Sequence, residues 1–96
     1  MTELEKEIER KLKKVIERHG GKCLKWVCPG WNGVPDRIVL MPGGRVYFVE
    51  LKRPKGGKLS ATQKWWHRQL MHLGFWVACI YDDEAIGTFE LLIVNY

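Results

Sequence analysis

The sequence predicts an α/β domain in which a helix, three strands, a second helix and a fourth strand follow one another. Three observations carry this reading. Leu4, Ile8, Leu12, Val15 and Ile16 recur at helical spacing before Gly20 and Gly21 end the run. Two apolar stretches, Arg37 to Met41 and Arg45 to Leu51, flank Pro42-Gly43-Gly44. That tripeptide suits a tight reversal, because proline presets φ and glycine accepts positive φ. Ser60-Ala61-Thr62-Gln63 then has the form of a capping box, and a further apolar stretch follows Gly74.

The first helix is expected from Thr2 to about His19. With Ile8 as zero, Leu4, Leu12 and Val15 lie within roughly 40° of it, and Glu5 falls near +60° at about 100° per residue. Glu9 lies near roughly +100°, whereas Glu3 and Glu7 take the far side. Glu5 is therefore the acid nearest the core edge. Lys22 to Cys28 alternates loosely and reads as the first strand. Pro29 to Gly33 forms a loop leading to Asp36, with Trp31 as core cover or as a stacking surface for a nucleotide.

The hairpin places Asp36 at the start of one strand and Glu50 and Lys52 at the end of the next, so a reversal brings the three together. Successive strand residues face opposite ways, which puts Glu50 and Lys52 on the side of Val46 and Phe48, away from Val49 and Leu51. Charges on an apolar face are costly unless paired. An isolated Glu-x-Lys is explained by a salt bridge at a sheet edge; Asp36 at the matching end adds a third partner. Lys52, Arg53, Lys55 and Lys58 fall within seven residues that contain no acid and are interleaved with Pro54, Gly56 and Gly57. A basic loop so placed suits phosphate contacts.

The second helix is expected from Ser60, its N-cap, to about Leu73, with Gln63 at the third position. Trp66, Leu70 and Leu73 form its apolar stripe. Trp65, Gln69 and His72 occupy another face, which marks Trp65 for a homodimer interface. Phe75 to Tyr81 reads as a strand. Asp82 to Tyr96 is ambiguous: Asp83 suits the cap of a helix with Ile86, Phe89 and Ile93 inward, yet Gly87 and the Leu91-to-Val94 run also suit a strand.

Ninety-six residues, 46% hydrophobic and 28% charged, fit one small domain. No apolar run approaches the ~20 residues of a membrane helix, and the first residues are charged at once, unlike a secretory signal. Residence in the cytoplasm of the host cell is expected. Three cysteines without framework spacing fit a reducing compartment. Cys23, Cys28 and His19 raise a zinc reading completed by Cys79, His67 or His72, but small buried side chains explain the cysteines better. A net charge of +5 and a pI of about 9.3 suit a polyanionic partner.

Pro35-Asp36 followed by Glu50-Leu51-Lys52 resembles the PD-(D/E)XK nuclease signature. Gly33 to Arg37, with Phe48 to Lys52 and Ser60 to Gln63, is similar to the VRR-NUC branch of that superfamily, in its stand-alone phage and bacterial form. The likeness covers nearly the whole chain, and its specificity lies in the ordered combination. It implies a restriction-endonuclease-like αβββαβ core, a small mixed sheet flanked by helices, and a closing helix. It also implies Mg²⁺ or Mn²⁺ held by Asp36, Glu50 and the carbonyl of Leu51. Glu5 would join from the first helix, with Glu9 as its substitute. Lys52 would act on the attacking water and the phosphate. Gln63 would face the site, a role expected to compete with capping. Arg53, Lys55 and Lys58 would hold DNA.

The implied activity is metal-dependent endonucleolytic hydrolysis of branched DNA, with a homodimer suited to Holliday (four-way) junctions. A flap or nicking nuclease is the rival within that class. A non-cleaving nucleic-acid-binding module on the same fold is the rival outside it, and the presence of Asp36, Glu50 and Lys52 together speaks for the enzyme.

Overall fold

The computed structural model describes residues 3–53 and 57–95. The N-terminal amphipathic run forms α1 (Glu3–Arg18) and leads into β1 (Lys22–Lys25). A long loop delivers the chain to β2 (Arg37–Met41) and β3 (Arg45–Leu51), which are joined by Pro42, Gly43 and Gly44. Gly43 and Gly44 both have positive φ, 85° and 74°, a conformation that a side chain would strain. Then follow α2 (Ala61–His72), β4 (Trp76–Ile80) and α3 (Asp83–Val94).

The sheet order is β1-β2-β3-β4, antiparallel except for the parallel β3–β4 pair. A parallel neighbour requires a crossover, and α2 supplies it. The expected mixed sheet with flanking helices is what forms. On one face Val39, Tyr47, Val49 and Leu51 meet Leu12 and Ile16 of α1 and Phe89 and Ile93 of α3. Tyr47 meets Phe89 edge to face, with ring centroids 5.6 Å apart. On the other face Phe48 packs between Trp26 and Phe75, and α2 buries His67 and Leu70. With both faces covered, β3 is buried from Tyr47 to Leu51.

Several boundaries differ from expectation. The first strand stops at Lys25, short of the expected Cys28; one bond in the same register follows it, from the Trp26 amide to the Asp36 carbonyl (2.9 Å), before the chain reaches Pro29. Leu4, in the first turn of α1, is 56% exposed, and Leu73 is 70% exposed at the C-cap of α2. His67, not Leu73, shares the inward face of α2 with Leu70. The C-terminal segment is a helix with Ile86, Phe89 and Ile93 buried, but its cap is Asp82, which accepts from the Ala85 amide at 2.8 Å. Asp83 instead stands in the first turn and pairs with Lys11 of α1 at 3.1 Å. Among the described residues no helix is long and apolar enough to cross a membrane.

Candidate active site

The register of the hairpin decides the site. Arg37 stands opposite Val49 at the end of the ladder, so the next pair outward is Asp36 and Glu50. Opposed residues project to the same face with Cβ atoms about 5 Å apart. The pairing is secured by the Leu51 amide, which donates to Asp36 Oδ1 at 3.1 Å. Glu50 is 3% exposed and Asp36 half-buried. Both line a cavity of about 480 Å³ with Glu5, Leu51, Lys52, Arg53, Gly57 and Lys58.

Lys52 is anchored at both ends. Its amide donates to the Ile80 carbonyl (3.0 Å), extending the β3–β4 pairing, and its Nζ donates to Gln63 Oε1 at 3.0 Å. Gln63 Oε1 also accepts from the Ser60 amide at 2.9 Å, while the Gln63 amide donates to Ser60 Oγ. The expected competition between capping and the site is therefore absent. One carbonyl oxygen has two lone pairs and serves both.

The loop before Asp36 is docked on the same helix. Gly33 has φ 92°, and a Cβ there would stand 2.6 Å from the Thr62 methyl. Trp31 packs edge to face on Trp66, with centroids 5.7 Å apart, yet remains 61% exposed, so it covers less core than expected.

A curated relative and a solved structure resemble this chain. Over 84 residues the chain is 42% identical to "Putative nuclease p44" of Acyrthosiphon pisum secondary endosymbiont phage 1, covering 88% of each protein. A solved structure described as a VRR_NUC domain superposes with a TM-score of 0.87 and 25% identity, over 99% of this chain and 100% of the other. The chain belongs to the VRR-NUC nuclease family. No family model matches the sequence.

In this VRR-NUC domain burial raises both carboxylates, and Asp36 adds to the rise of Glu50. Burial, then the negative charge of Asp36 and a hydrogen bond with it, push the Glu50 carboxyl up to about 7, against the pull of Lys52 and Arg37. Burial likewise raises Asp36, helped by the charge of Glu5 and opposed by the Leu51 amide, its own amide and Lys52. Two acids crowded into a half-dry pocket are poorly compensated by protein alone.

The two candidate helix acids separate cleanly. Glu5 lines the cavity, whereas the Glu9 carboxylate is held by Nε and Nη2 of Arg37. Arg37 is 4% exposed, and its Nη1 donates to the Asp36 carbonyl at 2.8 Å. Sequence reasoning gave Arg37 no role. The available signal was a cation at an inward strand position with Glu9 on the flank of the facing helix.

The sequence offers His67 only as a possible zinc ligand. It lies one turn beyond Gln63, buried, with Nε2 3.5 Å from Glu50 Oε1. The i, i+4 spacing from Gln63 puts both on one helix face. Arg53 and Lys58 stand exposed at the rim of the cavity; Lys55 lies outside the described residues.

Among the described residues no group of three or more His, Cys, Asp or Glu is gathered closely enough to enclose a metal. The carboxylates that line the cavity are those of Asp36, Glu50 and Glu5, with the Leu51 backbone beside them. A second cavity of about 490 Å³ opens between β4 and α3, lined largely by apolar groups such as Trp76, Ala78, Ile80 and Leu92. It lacks the opposed carboxylates and lysine.

Proposed function

We propose that this VRR-NUC domain is a divalent-cation-dependent endonuclease that hydrolyses phosphodiester bonds in DNA, acting as a homodimer on branched substrates, four-way (Holliday) junctions first among them. The observation that carries the reading is the register that sets Asp36 opposite Glu50 in one cavity with Lys52.

The residues fit a hard cation. Asp36 and Glu50 offer oxygen ligands, and burial raises both of them above their ordinary range, with the charge of Asp36 adding to the rise of Glu50 and that of Glu5 to the rise of Asp36. Mg²⁺ or Mn²⁺ would be held by Asp36, Glu50 and the Leu51 carbonyl, with Glu5 reaching from α1. Once bound, such an ion supplies charge neutralisation at the phosphoryl group and a more acidic water.

Lys52, with Nζ steadied by Gln63, donates a hydrogen bond to the attacking water or to a phosphoryl oxygen as charge develops there. Holding that ammonium in place removes a rotamer search from the reactive step. Arg53 and Lys58 at the rim, with Lys55 of the same segment, take the flanking phosphates and carry no sequence information.

The dimer draws support from Trp65, 45% exposed on the outer side of α2 although its ring meets Trp66. Two-fold symmetry would present two sites to two strands of a junction. Labelled four-way junction, flap and linear duplex, each with Mg²⁺, Mn²⁺ or chelator, test the proposal directly. Symmetric cleavage of the junction, abolished by chelator, is expected. Cleavage of the flap alone, or a species of only 11.2 kDa by light scattering at micromolar concentration, removes the junction-resolving dimer.

A further inference from the structure

His67 is 6% exposed and closes the inner wall behind Glu50. Its ring meets two groups on the sheet. Nδ1 lies 3.9 Å from Cys79 Sγ of β4, and Nε2 lies 3.5 Å from Glu50 Oε1. Nε2 and Oε1 are both buried, and neither makes a hydrogen bond elsewhere among the described residues. Each such atom left alone costs about 1–3 kcal/mol. A small closure of the gap satisfies both at once.

We propose that His67 is a positioning residue: its Nε2–H holds Glu50 Oε1 against α2, leaving Oε2 to face the cavity as the cation ligand. This rests on the metal-site reading above.

The tautomer follows from the neighbours. A carboxylate oxygen only accepts, so of the two ring nitrogens the one that faces Glu50 Oε1 is the one that must carry a hydrogen. Nδ1 faces the Cys79 thiol, a weak donor 3.9 Å away, and can accept from it. The ring hydrogen then belongs on Nε2, and Glu50 Oε1 is the acceptor within reach. Outer-shell donors of this kind orient ligands before the ion arrives.

The test is calorimetric titration of Mn²⁺ into wild type, His67→Leu, His67→Gln and Asp36→Asn, with long-range ¹H–¹⁵N NMR of the His67 ring in the unaltered protein. His67→Leu should weaken Mn²⁺ binding about 10- to 100-fold, and His67→Gln, which keeps a terminal N–H, should recover most of it. NMR should show the Nε2–H tautomer. An Nδ1–H tautomer overturns the inference whether or not the variants fold. So does His67→Gln binding as weakly as His67→Leu. His67→Leu binding like wild type while Asp36→Asn has lost Mn²⁺ rejects the role of His67 and leaves the metal site standing. Wild type that binds no Mn²⁺, or binds it no better than Asp36→Asn, rejects the metal site and this inference with it.

Discussion

Replacing Glu50 by Gln should stabilise the cation-free protein above neutral pH while removing a residue that the proposed reaction needs. Glu50 sits at about 7 in the folded chain against an ordinary 4.5. A raised carboxyl means that the folded state binds its proton more tightly than the unfolded state. Between those two values the native protein therefore holds more protons, and stability falls as pH rises. The gap corresponds to roughly 3 kcal/mol at about 1.4 kcal/mol per pH unit, all of it expressed above pH 7.5 or so and shrinking to about 1 kcal/mol near pH 5. His67 works the other way, since its lowered value removes stability as pH falls below its ordinary range, but it is present in both proteins. Glu50→Gln keeps size and hydrogen-bonding capacity and lacks the charge. In chelator at pH 8 its melting temperature should exceed wild type by on the order of 10 °C, from about 4–8 °C per kcal/mol for a domain of this size. Thermal unfolding followed by circular dichroism at pH 5 and pH 8 measures this. Mn²⁺ should then raise the wild-type melting temperature and barely move that of the variant. A variant less stable than wild type at pH 8 in chelator, or a difference that does not shrink toward pH 5, refutes the reasoning.

Three further outcomes follow from the same contacts. Gly33→Ala combines positive φ with a Cβ 2.6 Å from the Thr62 methyl and 2.8 Å from its backbone carbonyl carbon. It should cost about 2 kcal/mol and slow cleavage by shifting the loop that ends at Asp36, read by chemical denaturation and by rate. Glu9→Ala strands the buried Arg37 guanidinium and should destabilise by about 2–3 kcal/mol, toward the low end for a broken buried pair because Glu9 is partly exposed; a loss below about 0.5 kcal/mol would mean that water replaces it. Gln63→Ala removes one hydrogen bond of the cap and the anchor of Lys52. It should lower stability by only about 1 kcal/mol yet slow cleavage by up to about a hundredfold, and equal small effects on both would deny the anchoring role.

How much could be read beforehand depends on whether local chemistry or packing set the answer. Proline and two glycines left the hairpin a single practical reversal, and a reversal of that length fixes which residues oppose; Asp36 and Glu50 followed. Ser60 and Gln63 announced α2 by the reciprocity of their bonds, although the second lone pair of the Gln63 carbonyl was overlooked. The helical angle puts Glu5 at the core edge, the family resemblance implies its site role, and the structure has it lining the cavity. Packing decided the rest. Leu73 and Leu4 have the spacing of core residues but lie at helix ends, the C-cap of α2 and the first turn of α1, where both stay exposed. Asp82 and Asp83 are equally able to cap, and the choice depends on where β4 releases the chain. His67 and Arg37 are polar residues whose burial is set by partners 17 and 28 positions away, Glu50 and Glu9, and no local pattern reports such distances.

The most direct measurement is cleavage of labelled branched DNA by wild type, Asp36→Asn and Glu50→Gln in Mn²⁺ and in chelator, with DNA binding followed in parallel. Wild type should cut only with the cation, and each variant should lose at least about a hundredfold in rate while still binding DNA. Cutting by either variant at the wild-type rate, or wild-type cutting that persists in chelator, would contradict a cation shared between Asp36 and Glu50.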